Sequence, residues 1–341
     1  MQRRLFAVCA ALALSLSNPA AADNGNWNDV VTAAKKEGRV LIYHSLAGAS
    51  YLAAVIKSFE AKYGITVDQV SGRASEIMER IRVEQSTGHF GADFEFHSDA
   101  TTGRQAAAGY IQPIGTIPNI ANLRAPFAAT EIGIPAWGQF QGMLVNSTLV
   151  KPEDEPKTWH DILEPKWTNK ILMDDPRALG PGATLFFTAT KKFGPEFFEK
   201  LKRQNPVLSR DTRVDTRRVA QGEYPLLPTQ SFATASEFKG LPIKVIAPED
   251  GCPYTLIRAA MLRGAKHPNA TRLFINHFLE PDSQIHFAEA WWTPVVDGVM
   301  DKVTDPVTKR LLSCSIFGAT NAAEQQKYLD MASELFGRGE N

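Results

Sequence analysis

Short apolar runs alternate with segments of helical period along much of this chain, and that alternation restricts the fold more than any other feature. Arg39-Val-Leu-Ile-Tyr-His-Ser45 reads as a buried strand. Leu52, Val55, Ile56, Phe59 and Tyr63 then recur at the spacing of one helix face, and Gly64 stands where a helix C-terminus favours glycine. Ile65–Val70 and Ala92–Ser98 supply two further strands, separated by a helical segment carrying Ile77, Met78 and Ile81. Strand, helix, strand, helix, strand predicts an α/β fold: a mainly parallel sheet with helices on both faces.

The pattern changes over residues 131–158. Glu131–Pro135 and Gly142–Val145 read as extended, and the acidic, proline-rich run Lys151–Pro156 follows. A second αβ pattern occupies Lys170 to about Ala247, with strands at Lys170–Met173 and Lys244–Ala247 and a helix carrying Phe197, Phe198 and Leu201. Gly251–Met261 reads as a return crossing, and helical segments at 270–279, 307–312 and 322–336 close the chain. Two lobes are therefore expected: residues 23–135 plus 251–341, including the C-terminal helices, form the first, and residues 136–250 the second. The two crossings would form a hinge. In open α/β sheets ligands sit beyond the carboxyl ends of the strands, so both lobes would present their sites to the cleft between them.

Residues 1–22 read as a secretory leader rather than as fold. Arg3 and Arg4 precede the apolar run Leu5–Leu16, which is too short to span a bilayer, and Ala20-Ala21-Ala22 offers a cleavage site. Without the two leader arginines the chain carries 35 basic against 37 acidic residues. That near-neutral balance excludes a nucleic-acid surface, which needs a basic excess. The mature protein is expected to be exported. Cys252 and Cys314 remain after cleavage. In an oxidising compartment they either pair or stay as buried thiols, and their spacing matches no zinc site.

Four loops after strands carry the polar residues expected at the cleft. They are His44-Ser45, Ser71-Gly72-Arg73, the Ser98-Asp99 turn after His97, and the loop from Arg177 through Gly180, Gly182 and Ala183. Free N–H groups at helix starts, hydroxyls and forked guanidinium donors suit an anion. Ser75 is a candidate helix cap, and Asp174-Asp175 before Pro176 reads as a loop cap rather than an acid–base pair. Trp137, near the first crossing, either stacks on a ligand or packs in the core. The chain has no G-x-S-x-G, no H-E-x-x-H and no lysine after Gly182 of the kind that completes a phosphate loop.

Several segments together resemble the periplasmic solute-binding proteins of ABC importers, in the ferric-iron, phosphonate and organic-anion branch of extracellular solute-binding family 1. They are Val40–Ser45, Ser71–Ile81, Gly91–Phe94, Trp159–Trp167, Asp175-Pro-Arg177 with the glycines after it, Gln221–Tyr224 and Trp292–Val295. The resemblance implies a type II two-lobed fold, a periplasmic monomer without a cofactor, a small-molecule solute and a transmembrane permease as partners, and no enzymatic activity. Ferric-binding members of the branch use a Tyr-Tyr pair in the second lobe, where this chain has Ser231-Phe232 within Pro228–Thr234. An anionic organic solute is therefore expected. Ser45, Ser71 and Arg73 would hold it from the first lobe, and Arg177, the Gly180–Ala183 turn, Gln230 and Ser231 from the second. Ferric ion bound through an external anion is the alternative, and an exported enzyme using the cleft is the third reading.

Overall fold

A computed structural model of the protein describes residues 26–337. The leader expected at residues 1–22 lies outside them. The chain begins α1 (Trp27–Glu37), β1 (Arg39–His44), α2 (Ser50–Tyr63), β2 (Thr66–Ser71), α3 (Ala74–Thr87), β3 (Phe94–Ser98) and α4 (Asp99–Ala107). It continues through β4 (Ile134–Asn146), β5 (Leu172–Asp174), α5 (Pro181–Phe193), α6 (Glu196–Arg203), β6 (Val207–Ser209), α7 (Thr212–Ala220), β7 (Leu226–Ser231), α8 (Phe232–Ser236) and β8 (Ile243–Ile246). It ends with β9 (Cys252–Met261), α9 (Pro268–Phe278), α10 (Pro281–Glu289), α11 (Val299–Lys302), α12 (Pro306–Leu312), β10 (Ile316–Ala319) and α13 (Ala322–Phe336).

One sheet of order β2-β1-β3-β9-β4-β7 runs through the molecule, with β10 added to β9 and β8 added to β4. β1 pairs parallel with β2 and β3, as the strand–helix alternation predicts. β9 is antiparallel to both β3 and β4, because it brings the chain back. The two extended stretches expected between residues 131 and 145 are parts of a single strand, β4. Its first half pairs with β9, from Ile134 opposite Ala259 to Phe140 opposite Tyr254, and its second half pairs with β7 and β8. Gly142 sits at the change of partner. A Cβ there would lie 2.4 Å from the Ile246 carbonyl oxygen and 2.7 Å from the Phe232 ring, so no larger residue fits.

The cores follow this division. One cluster, with Val40, Ile42, Phe59, Phe94, Phe274 and Phe278, packs the helices onto β1, β3 and the first half of β4. A second, with Met143, Trp159, Phe186, Phe198 and Leu226, fills the other end, and a third around Phe140, Leu144, Phe232 and Trp291 lies beside it. The C-terminal helix packs on the second cluster. Tyr328 and Ala332 of α13 belong to the second cluster, and the Tyr328 ring lies 4.4 Å from that of Phe187. The apolar face of α13 is complementary to α5, so the chain crosses a third time after α12. Cys252 and Cys314 form a disulfide, Cα to Cα 6.0 Å, which fixes this crossing to the first residue of β9. Closing a loop with a sequence separation of 62 stabilises the fold by about 4 kcal/mol in the chain-entropy model. No helix among the described residues is long and apolar enough to cross a membrane.

Glu95, on β3, is fully buried, and burial pushes its carboxyl up to about 8, only partly offset by the Gln105 amide beside it. The folded chain thus keeps a proton that the unfolded chain releases above the ordinary value of 4.5. Stability from this group falls as pH rises from there towards 8. Glu95→Gln is expected to remove that slope, melting above the parent near pH 8 and close to it near pH 5, at roughly 2–4 °C per kcal/mol. Parallel melting-temperature profiles for the two proteins would contradict the assignment.

Candidate functional site

Six helices begin around one cavity of about 1410 Å³. α2, α3 and α4 follow β1, β2 and β3, and α5, α7 and α8 follow β5, β6 and β7. Each start lies beyond the carboxyl end of a strand, and the cavity opens between the two sets. Two of the starts are built alike. Ser98 Oγ accepts from Thr101 N (3.4 Å) at α4, and Ser231 Oγ accepts from Thr234 N (3.4 Å) at α8. α3 is not capped by Ser75. Its N-cap is Arg73, whose backbone N–H is taken by the Glu76 carboxylate at 3.0 Å.

Of the residues singled out in the sequence, Ser45, Gly72, Arg73, Ser98 and Asp99 line the cavity from the first set of loops. Trp137, Gly180 and Ser231 line it from the crossing strand and the second set. Trp137 is only 2% exposed and packs among Phe96, Phe287 and Trp292, which makes it the floor of the cavity. Trp292 and Tyr51 form the accessible aromatic edge.

Six of the expected residues lie outside the lining. His44 is buried, with Nε2 3.1 Å from Gln69 Oε1 and Nδ1 accepting from Leu46 N at 3.0 Å, so it fixes the loop that presents Ser45. Burial lowers its pKa. Ser71 ends β2 opposite His44. Gln230 is wholly buried and donates to Thr216 Oγ1 (2.9 Å). Arg177, Gly182 and Ala183 stand behind the cavity for a reason carried by the two aspartates before them.

Asp174 is 6% exposed, and its Oδ1 accepts the Gly182 N–H at 2.7 Å. The start of α5 is therefore satisfied by the chain's own carboxylate. The approach is close: a Cβ on Gly182 would lie 2.1 Å from the Asp174 carbonyl oxygen, and one on Gly180 2.7 Å from Oδ1. Burial, with the nearby charges of Asp215 and Asp175, pushes Asp174 up to about 7 against the Gly182 bond that lowers it. Asp175 takes Arg177 in a forked pair, Nε to Oδ1 2.8 Å and Nη2 to Oδ2 3.0 Å, and Arg210 Nε at 3.1 Å. Arg177 Nη1 donates to the Gly337 carbonyl at 2.8 Å. The guanidinium expected to meet a solute is thus consumed inside the second lobe.

The cations that remain are in the first lobe. Arg73 and Arg104 line the cavity with no carboxylate partner to their side chains among the described residues. Arg213, the lining guanidinium of the second lobe, is forked onto Glu237 at 2.8 Å for both bonds. Asp99 is ion-paired with buried Arg258. Arg104, Thr101, Arg213 and Tyr51 were not anticipated. Ser98, Thr101 and Arg104 recur every third residue, the spacing of one helix face, which was the available signal.

The histidine and serine of the lining are occupied within the fold. Burial and the Arg104 charge push His97 down to about 4, so it is neutral, and its Nδ1 is occupied by the Ser98 N–H at 2.9 Å. Ser98 Oγ donates to Thr101 Oγ1 at 3.0 Å and not to a base. Tyr51 is the one phenol among the lining residues, and among the described residues no three His, Cys, Asp or Glu groups are placed to hold a metal.

Residues 54–309 match the family described as bacterial extracellular solute-binding protein. A relative from Salmonella typhimurium named "Putative 2-aminoethylphosphonate-binding periplasmic protein" is 24% identical over 258 residues, spanning 70% of this chain and 72% of that one. Iron-bound HitA of Pseudomonas aeruginosa superposes with a TM-score of 0.68 at 18% identity, covering 86% of this chain and 99% of that one. The periplasmic binding protein AfuA of Actinobacillus pleuropneumoniae, solved with fructose-6-phosphate, gives 0.66 at 17% identity, covering 89% and 99%. These structures share the type II binding-protein fold, two lobes joined by crossing strands. The matched family and these neighbours are solute-binding proteins of transport systems. On the strength of a match that spans most of its length, the chain belongs to the bacterial extracellular solute-binding protein family.

Proposed function

We propose that this protein captures a small anionic organic solute, a phosphonate, phosphate ester or carboxylate, and delivers it to the permease of an ABC importer from the periplasm. One observation carries the reading: Arg73, the N-cap of α3, and Arg104, whose guanidinium reaches back to Thr101 in α4, have no carboxylate partner to their side chains among the described residues and line a cavity bordered by hydroxyls. Such a surface stabilises a negative group without a full set of counter-charges. The lobes, residues 26–135 with 251 to about 310 and residues 136–250 with the C-terminal helix, would close by bending at β4 and β9. Closure would bring Ser231, Thr234 and Thr184 onto the solute from the other side. The Salmonella relative, named for a phosphonate, and the AfuA structure, solved with a sugar phosphate, support the same chemistry.

The placement of the two arginines separates their expected effects. Arg73→Ala should weaken binding of 2-aminoethylphosphonate or a related oxyanion about ten- to a hundredfold in calorimetry, with the melting temperature nearly unchanged. Arg177→Ala should leave affinity close to the parent's and lower stability by about 1–3 kcal/mol, because Asp175 loses one of its two cations. The opposite pattern, affinity lost with Arg177 and kept without Arg73, would move the site to the α5 loop.

Iron as cargo is the weaker reading. Hard ferric ion favours phenolate and carboxylate oxygens, whereas this lining offers Tyr51 alone as a phenol and three carboxylates that are already engaged, Asp99 with Arg258, Glu237 with Arg213 and Glu76 with the Arg73 N–H. Adding ferric citrate should therefore produce no visible tyrosinate charge-transfer band. A coloured, saturable complex would establish the iron reading instead.

A further inference from the structure

Within the reading of the cleft as an anion site, we propose that Arg104 is a solute-binding residue, and that Gln325 of the C-terminal helix is the positioning residue that aims it. A hydrogen-bonded line runs along one wall of the cavity. Ser98 Oγ donates to Thr101 Oγ1 (3.0 Å), Arg104 Nη2 donates to the same oxygen (3.0 Å), and Arg104 Nη1 donates to Gln325 Oε1 (2.9 Å). All four residues line the cavity. Ser98, Thr101 and Arg104 belong to the first lobe, whereas Gln325 rides on α13, which is anchored to the second core by Tyr328, Ala332 and the Lys191–Glu324 ion pair. The line therefore joins the two lobes across the cleft.

The chemical identity of the partner matters. Asp175 holds Arg177, and Glu237 holds Arg213, with carboxylates that cancel the guanidinium charge. Gln325 holds Arg104 with a neutral amide oxygen, which orients the guanidinium and leaves its charge intact. Two bonds of a five-donor group leave donors for a solute oxyanion. A solute held by Arg104 would in turn be tied to α13, so capture by the first lobe is coupled to the second through this side chain.

Three variants of the full chain test the proposal, with 2-aminoethylphosphonate and inorganic phosphate as calorimetric probes and hydrogen exchange across α13 in the unliganded protein. Gln325→Ala is expected to weaken probe binding about three- to tenfold and to speed exchange in the first turns of α13. Gln325→Glu is expected to keep the tether, so α13 exchanges as in the parent, yet to weaken binding about tenfold or more because its carboxylate neutralises Arg104. Arg104→Ala should do both, losing affinity and loosening α13. A glutamate variant that binds like the parent would overturn the positioning role and reduce Gln325 to a structural contact. Unchanged exchange in all three would overturn the tether. If the parent binds neither of these phosphorus oxyanions nor citrate, added as a carboxylate probe, the anion reading of the preceding section fails, and the role proposed for Arg104 fails with it. The exchange comparison then decides the tether alone.

Discussion

The antiparallel ladder between β4 and β9 is the constraint on which the remaining structure depends. Both strands run from one core to the other, and the first half of β4 pairs with β9 over the whole stretch from Ile134 to Phe140. The first core hangs from one end through the β3–β9 pairing, and the second from the other end through β7 and β8. Loss of that ladder would leave two αβ units with no sheet in common. It also places the cavity: Trp137, Gln139 and Gln141 of β4 and Thr255 and Ile257 of β9 lie among its lining residues. The same two strands are the natural pivots, since a shared ladder bends at its middle more readily than the packed cores deform.

Given that frame, the electrostatics of the cleft are set by which cations the protein has already spent on itself. Asp174 closes the start of α5 and Asp175 sequesters Arg177 and Arg210. Glu237 holds Arg213. The second lobe thus meets the cavity mainly with hydroxyls, whereas the first meets it with Arg73 and Arg104. An anion would then dock first on the first lobe, and closure would add shorter-range hydrogen bonds. This asymmetry follows from the pairing pattern, because the lining includes arginine on both sides.

Much of this was legible in the sequence. Strand and helix order, both crossing strands and the loops after the strands follow from periodicity and from glycine placement, which are local signals. The choice between neighbours at a strand end was harder. Gln230 turns inward while Ser231 reaches the cavity, as the alternation of side chains across a strand requires, and Ser45 reaches it from just past the end of β1, where His44 is buried. Arg177 was placed in the right loop but not with its partner, although the acid lies two residues before it. The pull of a buried carboxylate on an adjacent guanidinium outweighs the attraction of an open cleft. The side on which α13 packs was invisible, since an amphipathic helix does not announce its neighbour. The Arg104–Gln325 bond, which spans 221 residues of sequence, was invisible for the same reason.

The central claim is that the cleft holds an organic anion. Native mass spectrometry of the protein purified without refolding tests it most directly. The account predicts one small phosphorus- or carboxylate-bearing solute per chain, released unaltered on denaturation and lost from the Arg73→Ala protein. An iron adduct, or a neutral or purely cationic solute retained equally by both proteins, would contradict it.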